Sequence, residues 1–132
     1  MTGLDTNILV RHLVRDNPVQ SKKASHFILT TCTRESPGVI NRIVLCELVW
    51  VLESAYDYPR RQIADVLEKV LMTNQFWIED LSAAWLALRA YRDGPADFSD
   101  YLLARMNREL GCTRTVTFDK QAGKAEGFEL LA

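Results

Sequence analysis

The stretch Val39-Ile40-Asn41-Arg42-Ile43-Val44-Leu45-Cys46-Glu47-Leu48-Val49-Trp50-Val51-Leu52 passes from an apolar β-branched pair, through a polar break, into a helix-length apolar run. Val39-Ile40 reads as a short strand and Asn41 as the cap of the helix that follows. Glu47 is the only charged residue between Ile43 and Leu52. On a helix its same-face neighbours are Ile43 and Val44 one turn before, and Trp50 and Val51 one turn after. None of these pairs with a carboxylate. Buried among them, an ionised Glu47 would have to be protonated, paired by a distant segment, or bound to a cation. A helix edge facing water, or one arginine reaching in, is the structural alternative.

Outward from this stretch, strand-sized and helix-sized segments alternate. Met1 to Leu4 is a short apolar lead into Asp5-Thr6-Asn7, and Ile8 to Arg15 has helical periodicity. Asn17-Pro18 restarts the chain in a helix to about Cys32, since proline suits a first helical turn. Beyond the Glu47 helix, Tyr58-Pro59 opens another with Ile63, Val66, Leu67, Val70 and Leu71 at helical spacing. Phe76-Trp77-Ile78 is a strand, and Ser82 is expected to cap a helix carrying Trp85, Leu86, Leu88 and Tyr91. Asp93-Gly94-Pro95 stops that helix; Asp97 to Leu110 is the last, closed by Gly111. Thr113 to Thr117 and Phe128 to Leu131 read as strands. The alternation predicts one domain over residues 1–132, a three-layer α/β fold with a small, mainly parallel sheet flanked by helices.

Composition narrows the class. An apolar share of 48% with 25% charged residues is that of a globular chain able to bury a core. Sixteen basic against seventeen acidic side chains raise no global positive field for nucleic acid. With four of those acids neutralised by metal, however, the bases outnumber the remainder by three. Cys32, Cys46 and Cys112 are odd in number and form no CxxC pair, which suits reduced thiols in a cytoplasmic protein. Asp5 and Arg11 interrupt any early apolar stretch, so no secretory signal is expected. The longest apolar run is too short for a membrane span.

Four acids fall at the ends of elements. Asp5 follows the first strand and Asp119 the fourth, Asp100 lies in the first turn of a helix, and Glu47 about a turn and a half into another. A parallel sheet brings such positions to its carboxyl edge, where ligands of open α/β sheets sit. Clustered carboxylates repel one another unless a multivalent cation holds them, and their oxygens suit Mg²⁺ and Mn²⁺. Such a site suits phosphodiester hydrolysis. Capping is the alternative for Asp5 and above all for Asp97, and a turn with a local ion pair to Lys120 for Asp119.

In this order and spacing, Asp5-Thr6-Asn7, Glu47 within LCELVWVL, Asp100 within ADFSDYLLA and Asp119 within TFDK resemble the PIN-domain ribonucleases, and among them the VapC-type toxins of prokaryotic toxin–antitoxin pairs. The resemblance covers nearly the whole chain; from Tyr56 to Glu79 it is one of pattern only. It implies a PIN fold and a Mg²⁺- or Mn²⁺-dependent endoribonuclease with no further cofactor. It also implies homodimers, and inhibition by a small antitoxin protein at the acidic pocket. Asp5, Glu47, Asp100 and Asp119 carry over as metal-binding and catalytic acids. Asp97, Thr6, Asn7, Ser99 and Thr117 match supporting positions that would orient carboxylates or waters.

Two competing functions share these features. A phosphoacceptor signalling domain also combines α/β architecture with an acidic Mg²⁺ pocket, but needs paired acids after the first strand, where Asp5 is followed by Thr6-Asn7. A catalytically idle PIN-like binding module is the other. His12 and His26 read as surface histidines, with a metal-free acid–base pair as the alternative. Arg11, Arg15, Lys22, Lys23, Arg60, Arg61, Arg89 and Arg92 are solvated faces or a rim contacting RNA phosphates. Trp50, Trp77 and Trp85 are expected in the core.

Overall fold

The computed structural model describes residues 1–131, and its chain separates into two compact units, Met1–Glu79 and Asp80–Ala132. The protein is α/β, with six α-helices among the described residues and short strands that all pair in parallel.

In the first unit, strand β1 (Thr2–Gly3) leads into helix α1 (Thr6–Val14), then α2 (Pro18–Thr31), β2 (Gly38–Ile40), α3 (Arg42–Ser54), α4 (Arg60–Leu71) and β3 (Phe76–Ile78). Asn17 caps α2 through the Gln20 N–H at 3.1 Å, with Pro18 in the first turn, as its sequence predicts. Asn41 caps α3 through the Val44 N–H at 3.0 Å. The strands pair in the order β1-β2-β3, with Thr2 opposite Gly38 and Ile40 opposite Ile78. Gly38 lets β1 and β2 meet closely: a Cβ there would stand 2.7 Å from Leu4 Cδ1 and 3.0 Å from Cys32 Sγ, so those side chains would have to shift. The helices close over Leu9, Ile28, Ile40, Leu45, Leu48, Leu52, Ile63 and Leu67, all buried.

In the second unit, α5 (Leu81–Asp93) and α6 (Phe98–Glu109) precede β4 (Thr115–Thr117), a single 3₁₀ turn (Ala122–Lys124) and β5 (Phe128–Leu130). Strands β4 and β5 form a two-stranded parallel sheet. Tyr91 and Phe98 meet edge-to-face with ring centroids 6.1 Å apart, fastening α5 to α6. Gly111, at φ 100°, turns the chain after α6 where a side chain would be strained.

Three expectations change. The parallel pairing divides into three strands and two, one sheet in each unit. The cap of α5 is Asp80 and not Ser82: the chain turns in the left-handed region at Asp80, φ 53°, and its carboxylate accepts from the Ala83 N–H at 3.3 Å. Trp50 and Trp77 are exposed, at 68% and 48%, so neither is a core residue.

Candidate active site

Each acid is positioned by the turn in which it sits. Asp5 follows β1 in extended conformation and caps α1, its Oδ1 accepting from the Thr6 backbone N–H at 2.7 Å. The Thr6 hydroxyl donates in turn to Glu47 Oε1 at 2.9 Å. One buried threonine therefore holds both carboxylates of this unit, Asp5 through its backbone and Glu47 through its side chain. Joining residues 41 apart fixes the start of α1 against the second turn of α3.

Glu47 itself is exposed: of the two readings the sequence leaves open, the helix edge facing water is the one found, and the buried carboxylate is not. Helix α3 buries Val44, Leu45, Leu48, Val49 and Leu52 along one side. Ile43, Glu47 and Trp50 project from the other, with Ile43 and Trp50 66% and 68% exposed. The run is apolar all round, but only one face is core.

At the carboxyl edge of the same sheet, Asp5 follows β1, Asn41 follows β2 and Glu79 follows β3. Glu79 receives three donors from Arg42: the backbone N–H, Nε and Nη2, each at 3.1 Å. Sequence reading missed this pair. Its available signal was position, since both residues come just after strand ends.

In the second unit Asp100 lies in the first turn of α6, and its Oδ2 accepts from the Asp97 N–H at 3.2 Å. Partial burial raises the Asp100 carboxyl from its ordinary value. The negative charges of Asp97 and Asp119 push in the same direction, while the Asp97 N–H opposes them. Asp97, Asp100 and Asp119 thus form a field of like charge. Asp119 follows β4; its Oδ1 accepts from the Gln121 and Ala122 N–H groups at 2.8 and 3.1 Å, and its own N–H donates to Thr117 Oγ1 at 3.0 Å. The capping and turn roles foreseen for Asp5 and Asp119 are real, and they occupy one oxygen of each.

That pattern recurs in all four acids. Each has one oxygen held by the protein, while Asp5 Oδ2, Glu47 Oε2, Asp100 Oδ1 and Asp119 Oδ2 accept no hydrogen bond among the described residues. Hard carboxylate oxygens with one lobe oriented and the other open are the donor type that Mg²⁺ and Mn²⁺ select. Among the described residues no three His, Cys, Asp or Glu side chains already converge as a metal cage. The fit therefore lies in donor chemistry and orientation. Of the supporting positions, Thr6 and Thr117 make the bonds given above, while Asn7 and Ser99 are exposed. His12 Nδ1 lies 2.8 Å from Ser25 Oγ and His26 is exposed on α2, which leaves no organised histidine pair.

The model of the PIN domain family matches residues 4–127, spanning both units and all four acids. No curated protein and no solved structure matches the chain.

Proposed function

The chain belongs to the PIN-domain family, whose general activity is nucleolytic, and from that premise we propose that it is a Mg²⁺- or Mn²⁺-dependent endoribonuclease, the toxin of a toxin–antitoxin pair. The observation that carries the metal reading is the open oxygen on each of Asp5, Glu47, Asp100 and Asp119, beside one the protein orients. These are the proposed metal-binding and catalytic acids. Thr6 and Thr117 are positioning residues, with Asn7, Asp97 and Ser99 in support.

A bound divalent ion would polarise the scissile phosphate and ease deprotonation of the attacking water. The chain's own part is to aim the ligands. Thr6 sets the spacing of Asp5 and Glu47, and the α6 first turn holds Asp100 while Thr117 fixes the turn of Asp119. The toxin assignment, with a cognate small antitoxin, a homodimer and a cytoplasmic setting, rests on the order and spacing of the four motifs. On this reading residues 1–132 work as one domain. Among the described residues no helix is long and apolar enough to cross a membrane.

The phosphoacceptor alternative loses ground because Glu47 lies on an exposed helix face and not at a strand end. An idle binding module would not need four acids with open oxygens.

Purified protein should cut single-stranded RNA in Mg²⁺ or Mn²⁺ and stop on addition of EDTA. Asp5→Asn should keep the fold, because asparagine caps a helix as well as aspartate, and should abolish cleavage. Full activity in EDTA, lost instead in His12→Ala, would move the chemistry to the histidines. Labelling by acetyl phosphate without cleavage would favour the signalling domain, and neither activity the binding module. A short gene directly upstream is the observation that would supply the antitoxin.

A further inference from the structure

Within the second unit a groove of about 790 Å³ runs along α5 and α6 to the start of β4, a volume in the range of ordinary ligand sites. Four arginines line it, Arg89, Arg105, Arg108 and Arg114, against only two acids, Asp93 and Glu126. Their charge is poorly met by the protein. Arg89 makes no hydrogen bond or ion pair among the described residues. Arg105 Nε is buried without a hydrogen-bond partner, its ion pair to Glu109 stretched to 3.9 Å. Arg108 stands equally far from Glu126, beyond hydrogen-bond length; only Arg114 closes on a carboxylate, Glu129, at 2.8 Å. A buried donor without an acceptor calls for an oxygen from outside, and planar guanidinium groups match phosphate oxygens in particular.

None of the four acids lines the groove. It takes α6 from Tyr101 to Arg108 and the amino end of β4, whereas Asp100 opens α6 and Asp119 follows the carboxyl end of β4. Arg108 lies eight residues beyond Asp100 on one helix, about 12 Å away at 1.5 Å per residue. The aromatic residue in its wall, Tyr101, is only 9% exposed and its hydroxyl accepts from the Ala96 N–H, so no free ring is offered for stacking a base. The chemistry is that of backbone recognition without base reading.

We propose that this groove binds the sugar–phosphate backbone of the RNA strand beside the segment that is cut. This rests on the ribonuclease reading for the identity of the strand, but its test does not use cleavage. Affinity for a single-stranded RNA oligonucleotide is measured in EDTA across a salt series, for wild type and for Arg89→Gln/Arg105→Gln/Arg108→Gln. A triple variant of equal charge change elsewhere, Arg34→Gln/Lys69→Gln/Lys124→Gln, is the control. At about 0.7 per phosphate contact on single strands, the groove variant should lower the salt slope by about 2 and weaken binding by roughly tenfold at low salt. The control should change affinity by no more than about threefold. Should the triple variant melt, Arg89→Gln alone should still reduce the slope by about 0.7, and Glu126→Gln should tighten binding.

Equal losses in groove variant and control would overturn the proposal, since generic charge then explains binding. So would displacement of RNA by inorganic phosphate or a mononucleotide as readily as by competing RNA, which would mark a small-molecule site. A changed oligomeric state in the groove variant would make the groove an interface between copies, and would equally overturn it. Groove-dependent binding without cleavage in Mg²⁺ would retire the nuclease reading while supporting the groove.

Discussion

Thr6 stands at the start of α1 with its N–H on Asp5 and its hydroxyl on Glu47, so two proposed metal ligands meet at one residue, and only Glu47 depends on its side chain. Thr6→Val keeps shape and branching, keeps the backbone bond to Asp5, and removes only the donor to Glu47. Because Glu47 is exposed, water replaces that donor and the melting temperature should move little. Cleavage should slow by about 10–100-fold, the usual cost of losing a group that orients a metal ligand. Wild-type kcat/KM in the folded variant would remove Thr6 from the site. At this scale the sequence picked out four acids at element ends, but left open whether Glu47 is buried or on a helix edge facing water. The structure places it on the exposed edge. An apolar run reads alike whether one face or all of it is buried, and only the packing of Leu45, Leu48 and Leu52 distinguishes the two. The Arg42–Glu79 pair was illegible for another reason: its partners are 37 residues apart and neither stands in a motif.

Helix starts were the most legible elements, because caps are local chemistry. Asn17 and Asn41 act where their sequences place them. Asp80 escaped because it caps from a left-handed conformation, while Ser82 offered a more familiar signal two residues on. The pair α1–α2 carries a pH dependence of its own. His12, bonded to Ser25 across the two helices, is lowered from its ordinary value first by burial and then by the charge of Arg15. The unfolded chain therefore takes up a proton before the folded one does. The stability from neutral His12 is fully present above about pH 6.5 and declines as pH falls toward the depressed folded value. His12→Gln should flatten the decline of melting temperature between about pH 7 and pH 5. Identical slopes in variant and wild type would show that His12 does not titrate with folding.

The two units each contain a parallel sheet, and the family match runs through both. The order of strands and helices was readable from alternation, but strands of two or three residues carry too little pattern to name their partners, so the split into separate sheets was not. Ligand linkage gives the molecule-wide test of the metal reading. A divalent ion at a hundred times its Kd adds about 2.7 kcal/mol to stability, which for a chain of this size raises Tm by roughly 10 °C. Mg²⁺ or Mn²⁺ should produce such a rise in wild type, and clearly less in Asp119→Asn. No rise in wild type would count against metal binding independently of any RNA assay.

Cys112 lies in the wall of the arginine groove and is exposed, while Cys32 is buried and Cys46 half-buried. Burial pushes the Cys32 and Cys46 thiols up, away from the reactive thiolate. An alkylating reagent therefore meets three cysteines of graded access, the most open of them at the mouth of the one strongly basic concavity described. A native attachment point for a spectroscopic label stands where a strand would have to pass, and occupancy of the groove is written into the reactivity of a single sulfur.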